Sequence, residues 1–175
     1  MNDINKLQKR LGIILLVGGV HELRDVYKVS NSQKVSFGAL TNIFRSVRPN
    51  IPVPIKDTQF ALAGWNIWQD FLTSVITILK IPYHPEIWDC DDYANLVKAL
   101  SALFLLLNSC GIAHCTVYDK NSGAKVGGHY CNLIATKDNE VYLFDLNNPG
   151  FIKVELNKDP VVKAWIYKNI DRCEL

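Results

Sequence analysis

Residues 88–94 read Trp-Asp-Cys-Asp-Asp-Tyr-Ala, setting a cysteine where a helix should begin. Asp89 is a residue type favoured at the N-cap, and Asp92, three positions on, supplies the acid of a capping box. Cys90 then falls in the first helical turn, where unpaired backbone N–H groups and the positive end of the dipole favour a thiolate. Such a thiolate attacks acyl carbon if a base stands nearby. His129, in Gly127-Gly128-His129-Tyr130-Cys131, would take the thiol proton and return one to the leaving group. Asp145, in Tyr142-Leu143-Phe144-Asp145-Leu146, would fix the imidazole tautomer and orientation. The Cys90 N–H would form half of an oxyanion hole, with Gln59, Trp65, Asn66 and Gln69 as candidates for the other donor.

Three carboxylates, Asp89, Asp91 and Asp92, surround that thiol and oppose its ionisation. A helix dipole contributes only about 0.3–1 kcal/mol at exposed sites, so a further positive group is expected. His129 as an imidazolium is one candidate. A bound hard cation is the other, and Asp89 and Asp91 offer oxygens of the type calcium prefers. The five cysteines (90, 110, 115, 131, 173) are odd in number and are read as reduced, with Cys110 and Cys115 the pair best placed in sequence for a bridge. Cys110, His114, Cys115 and Cys131 match no zinc spacing.

Whether His129 meets Asp145 depends on one turn. A three-residue loop at 137–139, with Asn139 left-handed, pairs 136 with 140 and 131 with 145. His129 and Asp145 are then diagonal neighbours on one face. A two-residue turn at Asp138-Asn139 would put them on opposite faces.

The elements that must hold these residues follow from periodicity. Helical spacing of Ile4, Leu7, Leu11, Ile14 and Leu15 predicts a helix over 3–15. Ser30 to Gln33 reads as a polar turn, and Pro49, Pro52 and Pro54 as an extended loop. A helix capped by Asp57 or Thr58 is expected through Leu79, with Trp65, Trp68 and Leu72 on one face. Pro82 and Pro85 then deliver the chain to Cys90. The stripe Ala94, Val97, Leu100, Phe104 and Leu107 predicts a mostly buried helix from Cys90 to about Asn108. Strands are expected at 112–118, 128–136, 141–146 and 151–156, with a closing helix at 161–170. Helices followed by a small antiparallel sheet indicate α+β.

At 175 residues, 49% hydrophobic and 21% charged, the chain reads as one domain with a substantial core rather than a disordered segment. A net charge of +2 with scattered basic residues argues against a nucleic-acid partner. Lys6, Lys9 and Arg10 before Leu11–Val20 resemble a signal peptide, but no small-residue cleavage site follows. That apolar run is also shorter than the ~20 residues of a membrane span. It is read as a buried segment, and a cytoplasmic location is the default expectation.

The hexapeptide Asp89-Cys90-Asp91-Asp92-Tyr93-Ala94 resembles the nucleophile motif of the bacterial transglutaminase-like cysteine proteinases. Gly128-His129 and Phe144-Asp145 are similar to that family's His and Asp elements, and the separations of 39 (129 − 90) and 16 (145 − 129) suit its layout. The resemblance, carried by residues 88–146, implies a papain-like, transglutaminase-like α+β fold and a Cys90-His129-Asp145 triad. Residues 1–87 would form a mainly helical lobe and 88–175 the helix-plus-sheet core of a single domain. It further implies hydrolysis of a peptide, isopeptide or related amide bond in a protein or peptide substrate. In the members that cleave adhesins it implies calcium bound through the acids at Asp89 and Asp91. Other readings are a cell-wall amidase, an acyl transferase, and a catalytically silent module that binds a cation or a protein.

Overall fold

The computed structural model describes residues 32–54, 57–79 and 89–175. The expected helix at 3–15, the apolar run 11–20, Pro82, Pro85 and Trp88 lie outside the described residues.

Ser36 ends a short strand, β1 (Gln33–Ser36), and caps the helix after it, its Oγ accepting from Ala39 N at 3.3 Å. That helix, α1 (Phe37–Val47), buries Leu40, Ile43, Phe44 and Val47, an i, i+3, i+4, i+7 stripe. β2 (Gln59–Leu62) pairs antiparallel with β1. Its alternation is that of a half-buried strand, with Gln59 exposed and Phe60 and Leu62 buried. The helix expected from Asp57 or Thr58 therefore begins only at Trp65, as α2 (Trp65–Leu79).

The third helix, α3, covers Cys90–Leu100 and runs into a π-type turn at Ser101–Leu105. Leu106 stops it with φ 54°, a left-handed conformation that breaks the helical ladder. Asn108 then stitches the exit to β2, accepting from Ala61 N at 2.8 Å and donating to the Gln59 carbonyl at 3.1 Å.

The rest of the chain is strand. β3 (Cys110–Asp119), β4 (Lys125–Ala135), β5 (Val141–Asp145), β6 (Gly150–Lys153), β7 (Val161–Val162) and β8 (Trp165–Glu174) form one antiparallel sheet in the order β6-β5-β4-β3-β8-β7. Its edge strands come together: Asn148 Nδ2 donates to the Val162 carbonyl at 2.9 Å, and a Cβ on Gly150 would lie 2.6 Å from Val162 Cγ1. The sheet is thus nearly closed and barrel-like.

This topology corrects the expected fold class. The α+β, papain-like and transglutaminase-like arrangement is not found; the described chain is mostly β, a six-stranded near-barrel with three α-helices. The largest local error is the closing helix expected at 161–170, which is strand. Tyr167, Ile170 and Cys173 are buried at intervals of three, a helical signature, but a bulge produces the spacing. His114 pairs with Arg172 and Thr116 with Lys168, so residues 169–171 stand against Cys115 alone, with Asn169 at φ 49°.

Strand alternation divides the core in two. Inside the near-barrel, Cys115, Cys131, Leu133, Leu143, Tyr167 and Ile170 pack with Leu40 and Phe44 of α1 and Phe60 and Leu62 of β2. On the other face, Ile134 and Phe144 pack with Trp68 and Leu72 of α2 and Val97 of α3. The described part of residues 1–87 thus carries a two-stranded sheet as well as two helices.

Candidate active site

Cys90 is the first residue of α3 and is half-buried, whereas Cys110, Cys115, Cys131 and Cys173 are buried. All five are free thiols, so the suggested Cys110–Cys115 bridge is absent. Alternation also sends Cys110 to the helix side and Cys115 to the interior, which separates the four residues of the zinc reading. Burial pushes the Cys110 thiol up to about 12 and raises Cys173 too. A hydrogen bond with Cys115, then burial, raises Cys131. Buried thiols in this state are poor nucleophiles.

The helix start at Cys90 is built as the sequence requires. Asp89 is the extended N-cap, with φ −112° and ψ −161°, and forms a capping box with Asp92, whose Oδ2 accepts from Asp89 N at 3.3 Å. Asp91 is held above the usual carboxylate range, first by a hydrogen bond with the Asp89 side chain and then by desolvation.

The β4–β5 connection has the three-residue form. Thr136 N donates to the Glu140 carbonyl at 2.9 Å, Asn139 sits at φ 58°, and Asn132 pairs with Phe144 through to Ala135 with Val141. That register puts His129 and Asp145 on the interior face. Their side chains meet with His129 Nε2 2.7 Å from Asp145 Oδ2, both buried, at 5% and 1% side-chain exposure. With Nε2 so engaged, Nδ1 is the ring nitrogen left for another partner, and the Cys90 side chain is among the groups that favour the protonated ring.

Burial opposes a charge on His129. The hydrogen bond to Asp145, the hydrogen bond to Cys90 and the Asp145 charge outweigh it and hold the imidazole up at about 10. The order Cys90–His129–Asp145 is that of a thiol–imidazole–carboxylate relay: the ring can take the thiol proton and remain charged beside the thiolate.

Two further residues surround this relay, and both lie in the segment misread as a helix. Tyr167 donates its hydroxyl to Asp145 Oδ2 at 2.6 Å, and Trp165 meets the His129 ring edge-on, with centroids 5.2 Å apart. Asp145 Oδ1 accepts from Asn147 N at 2.8 Å and Asn148 N at 3.2 Å. The aromatic types at 165 and 167 were the available signal; in a strand, with its two-residue alternation, both would have faced the site.

The four oxyanion candidates are scattered. Trp65 stacks on Tyr142 at 3.5 Å between centroids, Gln59 is exposed on β2, and Asn66 and Gln69 are exposed on α2. Their described contacts do not bring them to Cys90. Asp89, Cys90 and Asp91 do gather ligand atoms within 4.8 Å of one another. Calcium takes six to eight oxygens and disfavours thiolate, so these two carboxylates and a sulfur do not by themselves make its site.

No family model matches the sequence, and no curated protein matches it. Among solved structures, the chain is similar to one titled "PSL1a-E64 complex", with TM-score 0.55 and 16% identity over 81% of this chain and 51% of that one. It is also similar to Polyporus squamosus lectin bound to the human-type influenza-binding epitope Neu5Aca2-6Galb1-4GlcNAc, with TM-score 0.48 and 18% identity over 69% of this chain and 45% of that one. This chain therefore spans about half the length of the chains it matches. Neither title is that of a transglutaminase-like proteinase, and at such identity the first likeness is one of fold. Among the described residues, no helix is long and apolar enough to cross a membrane.

Proposed function

We propose that this protein is a thiol-dependent acyl-transfer enzyme that cleaves a peptide, isopeptide or related amide bond. The observation that carries the reading is a buried imidazole held by a carboxylate at 2.7 Å, with the half-buried Cys90 thiol among the groups that favour its protonated form. Cys90 adds to the carbonyl carbon as thiolate, and His129 gives its proton to the departing amine. Water, or a second amine, then releases the acyl group from sulfur, with His129 taking the proton of the attacking molecule. The Asp89–Ala94 motif, with its resemblance to the transglutaminase-like cysteine proteinases, supports the same chemistry.

The trisaccharide in the lectin's title stays with that lectin, because the groups that converge here are a thiol, an imidazole and a carboxylate. E64, the compound in the other title, becomes a natural second reagent for Cys90.

An activated ester tests the chemistry without knowledge of the substrate. With p-nitrophenyl acetate, the enzyme should release a burst of nitrophenolate and carry an acetyl group on the Cys90 peptide by mass spectrometry. H129A should give neither. A wild-type protein that forms no Cys90 adduct overturns the reading and leaves a binding module in its place.

A further inference from the structure

We infer that Tyr167 is a positioning residue of the relay, one that sets how strongly Asp145 holds the proton on His129. The inference rests on the proposed Cys90–His129 chemistry and extends it to a fourth side chain.

Asp145 accepts four hydrogen bonds, two on each oxygen. Asn147 N and Asn148 N fill Oδ1; His129 Nε2 and the Tyr167 hydroxyl share Oδ2. A carboxylate oxygen that accepts two donors divides its charge between them. The Tyr167 hydroxyl, at 2.6 Å, therefore competes with the imidazolium for the same lone-pair density. Packing alone does not require this hydroxyl, since a phenyl ring would fill the same apolar interior without a polar atom to satisfy.

The hydroxyl is itself aimed. Asn148 Nδ2 donates to the Tyr167 oxygen at 3.2 Å and to the Val162 carbonyl at 2.9 Å. With its oxygen receiving that donor, the hydroxyl is turned to donate toward Asp145. Asn148 thereby links the turn after β5, the edge strand β7 and the strand β8 that carries Tyr167, so the closure of the sheet also orients the relay. Burial, then the Asp145 charge, raises the Tyr167 phenol far above its ordinary range, so it remains a donor throughout the working pH.

The titratable groups that face His129 are Cys90 from α3, Cys115 from β3, Asp145 from β5 and Tyr167 from β8, with Cys131 on its own strand. Y167F changes only the last donor on the carboxylate. Asp145 Oδ2 then belongs to His129 alone, the imidazolium is held more tightly, and its titration moves up.

The experiment follows the His129 ring by NMR with labelled histidine across pH, together with the rate at which acetyl-Cys90, formed with p-nitrophenyl acetate, is hydrolysed. In Y167F the His129 titration should rise by about one unit, and hydrolysis of the acetyl group from Cys90 should slow about ten-fold, because about ten-fold less neutral imidazole is present to take the proton of water. N148A, which removes the donor that aims the hydroxyl, should shift the titration the same way by less, and it serves if Y167F does not fold. A lower melting temperature with an unchanged His129 titration and hydrolysis rate of acetyl-Cys90 would overturn the inference and leave Tyr167 a core residue. A wild-type enzyme that is not acetylated at Cys90 would instead overturn the proposed function.

Discussion

His129 Nε2 and Asp145 Oδ2 stand 2.7 Å apart at a point where their strands no longer pair. The β4–β5 ladder runs from Ala135–Val141 to Asn132–Phe144 and stops; His129 and Asp145 lie just past its end. There the side chains take over from the backbone as the link between strands. The bond fixes which imidazole nitrogen is engaged, Nε2, and which is left for a further partner, Nδ1.

D145N retains the shape and removes the charge. Its amide offers one acceptor oxygen where four donors now converge, so donors are left unsatisfied in the interior. Loss of one partner of a buried pair should destabilise the fold by about 3–5 kcal/mol in denaturant titrations. Acetylation of Cys90 in the protein that remains folded should fall by about 10³–10⁴-fold. A variant with normal stability and rate would mean that the carboxylate does not orient His129.

The His129 proton links stability to pH. Its ordinary value of 6.5 rises to about 10 in the fold, so its contribution is fully present below pH 6.5 and is lost as pH climbs through about 10. Thermal melts of the wild type and H129Q across that window should converge as pH rises. A difference that does not change with pH would contradict a charged His129.

Gly111 shows the tightness of β3 against β8. An added Cβ would collide with Cys173 Sγ and come within 3.2 Å of the Glu174 carbonyl. Both neighbours are held, one in the core and one in the backbone, so G111A should cost about 1–3 kcal/mol by overpacking. Unchanged stability would show that the end of β8 is free to shift.

At Asp89 and Asp91, millimolar calcium should change neither the melting temperature nor Cys90 acetylation, because the donors gathered there among the described residues fall short of a calcium shell. A clear stabilisation that chelator reverses would show that further oxygens complete the site.

The start of α3 and the His129–Asp145 contact were legible in the sequence because each has a local signature. The Asp89–Asp92 capping box fixes where the helix starts, and Asn139 fixes the turn that puts His129 and Asp145 on one face. The fold class was not legible. Whether a sheet stops at a few strands or nearly closes depends on contacts such as Asn148 with Val162, which no local pattern encodes. The bulge at Asn169 disguised β8 as a helix by spacing its buried residues in threes, and so hid Tyr167 and Trp165. Which of the distant Gln59, Trp65, Asn66 and Gln69 approaches Cys90 is likewise a tertiary matter, which the residue types upstream do not encode.

The rate of Cys90 alkylation against pH, mapped by peptide mass spectrometry in the wild type and H129A, tests the Cys90–His129 pair most directly. A paired thiol is alkylated rapidly below neutral pH, and that reactivity collapses in H129A while the protein stays folded. If Cys90 instead follows the same curve in both proteins, rising only near the pKa of about 8.5 of a free thiol, no activated pair exists and the enzyme reading fails.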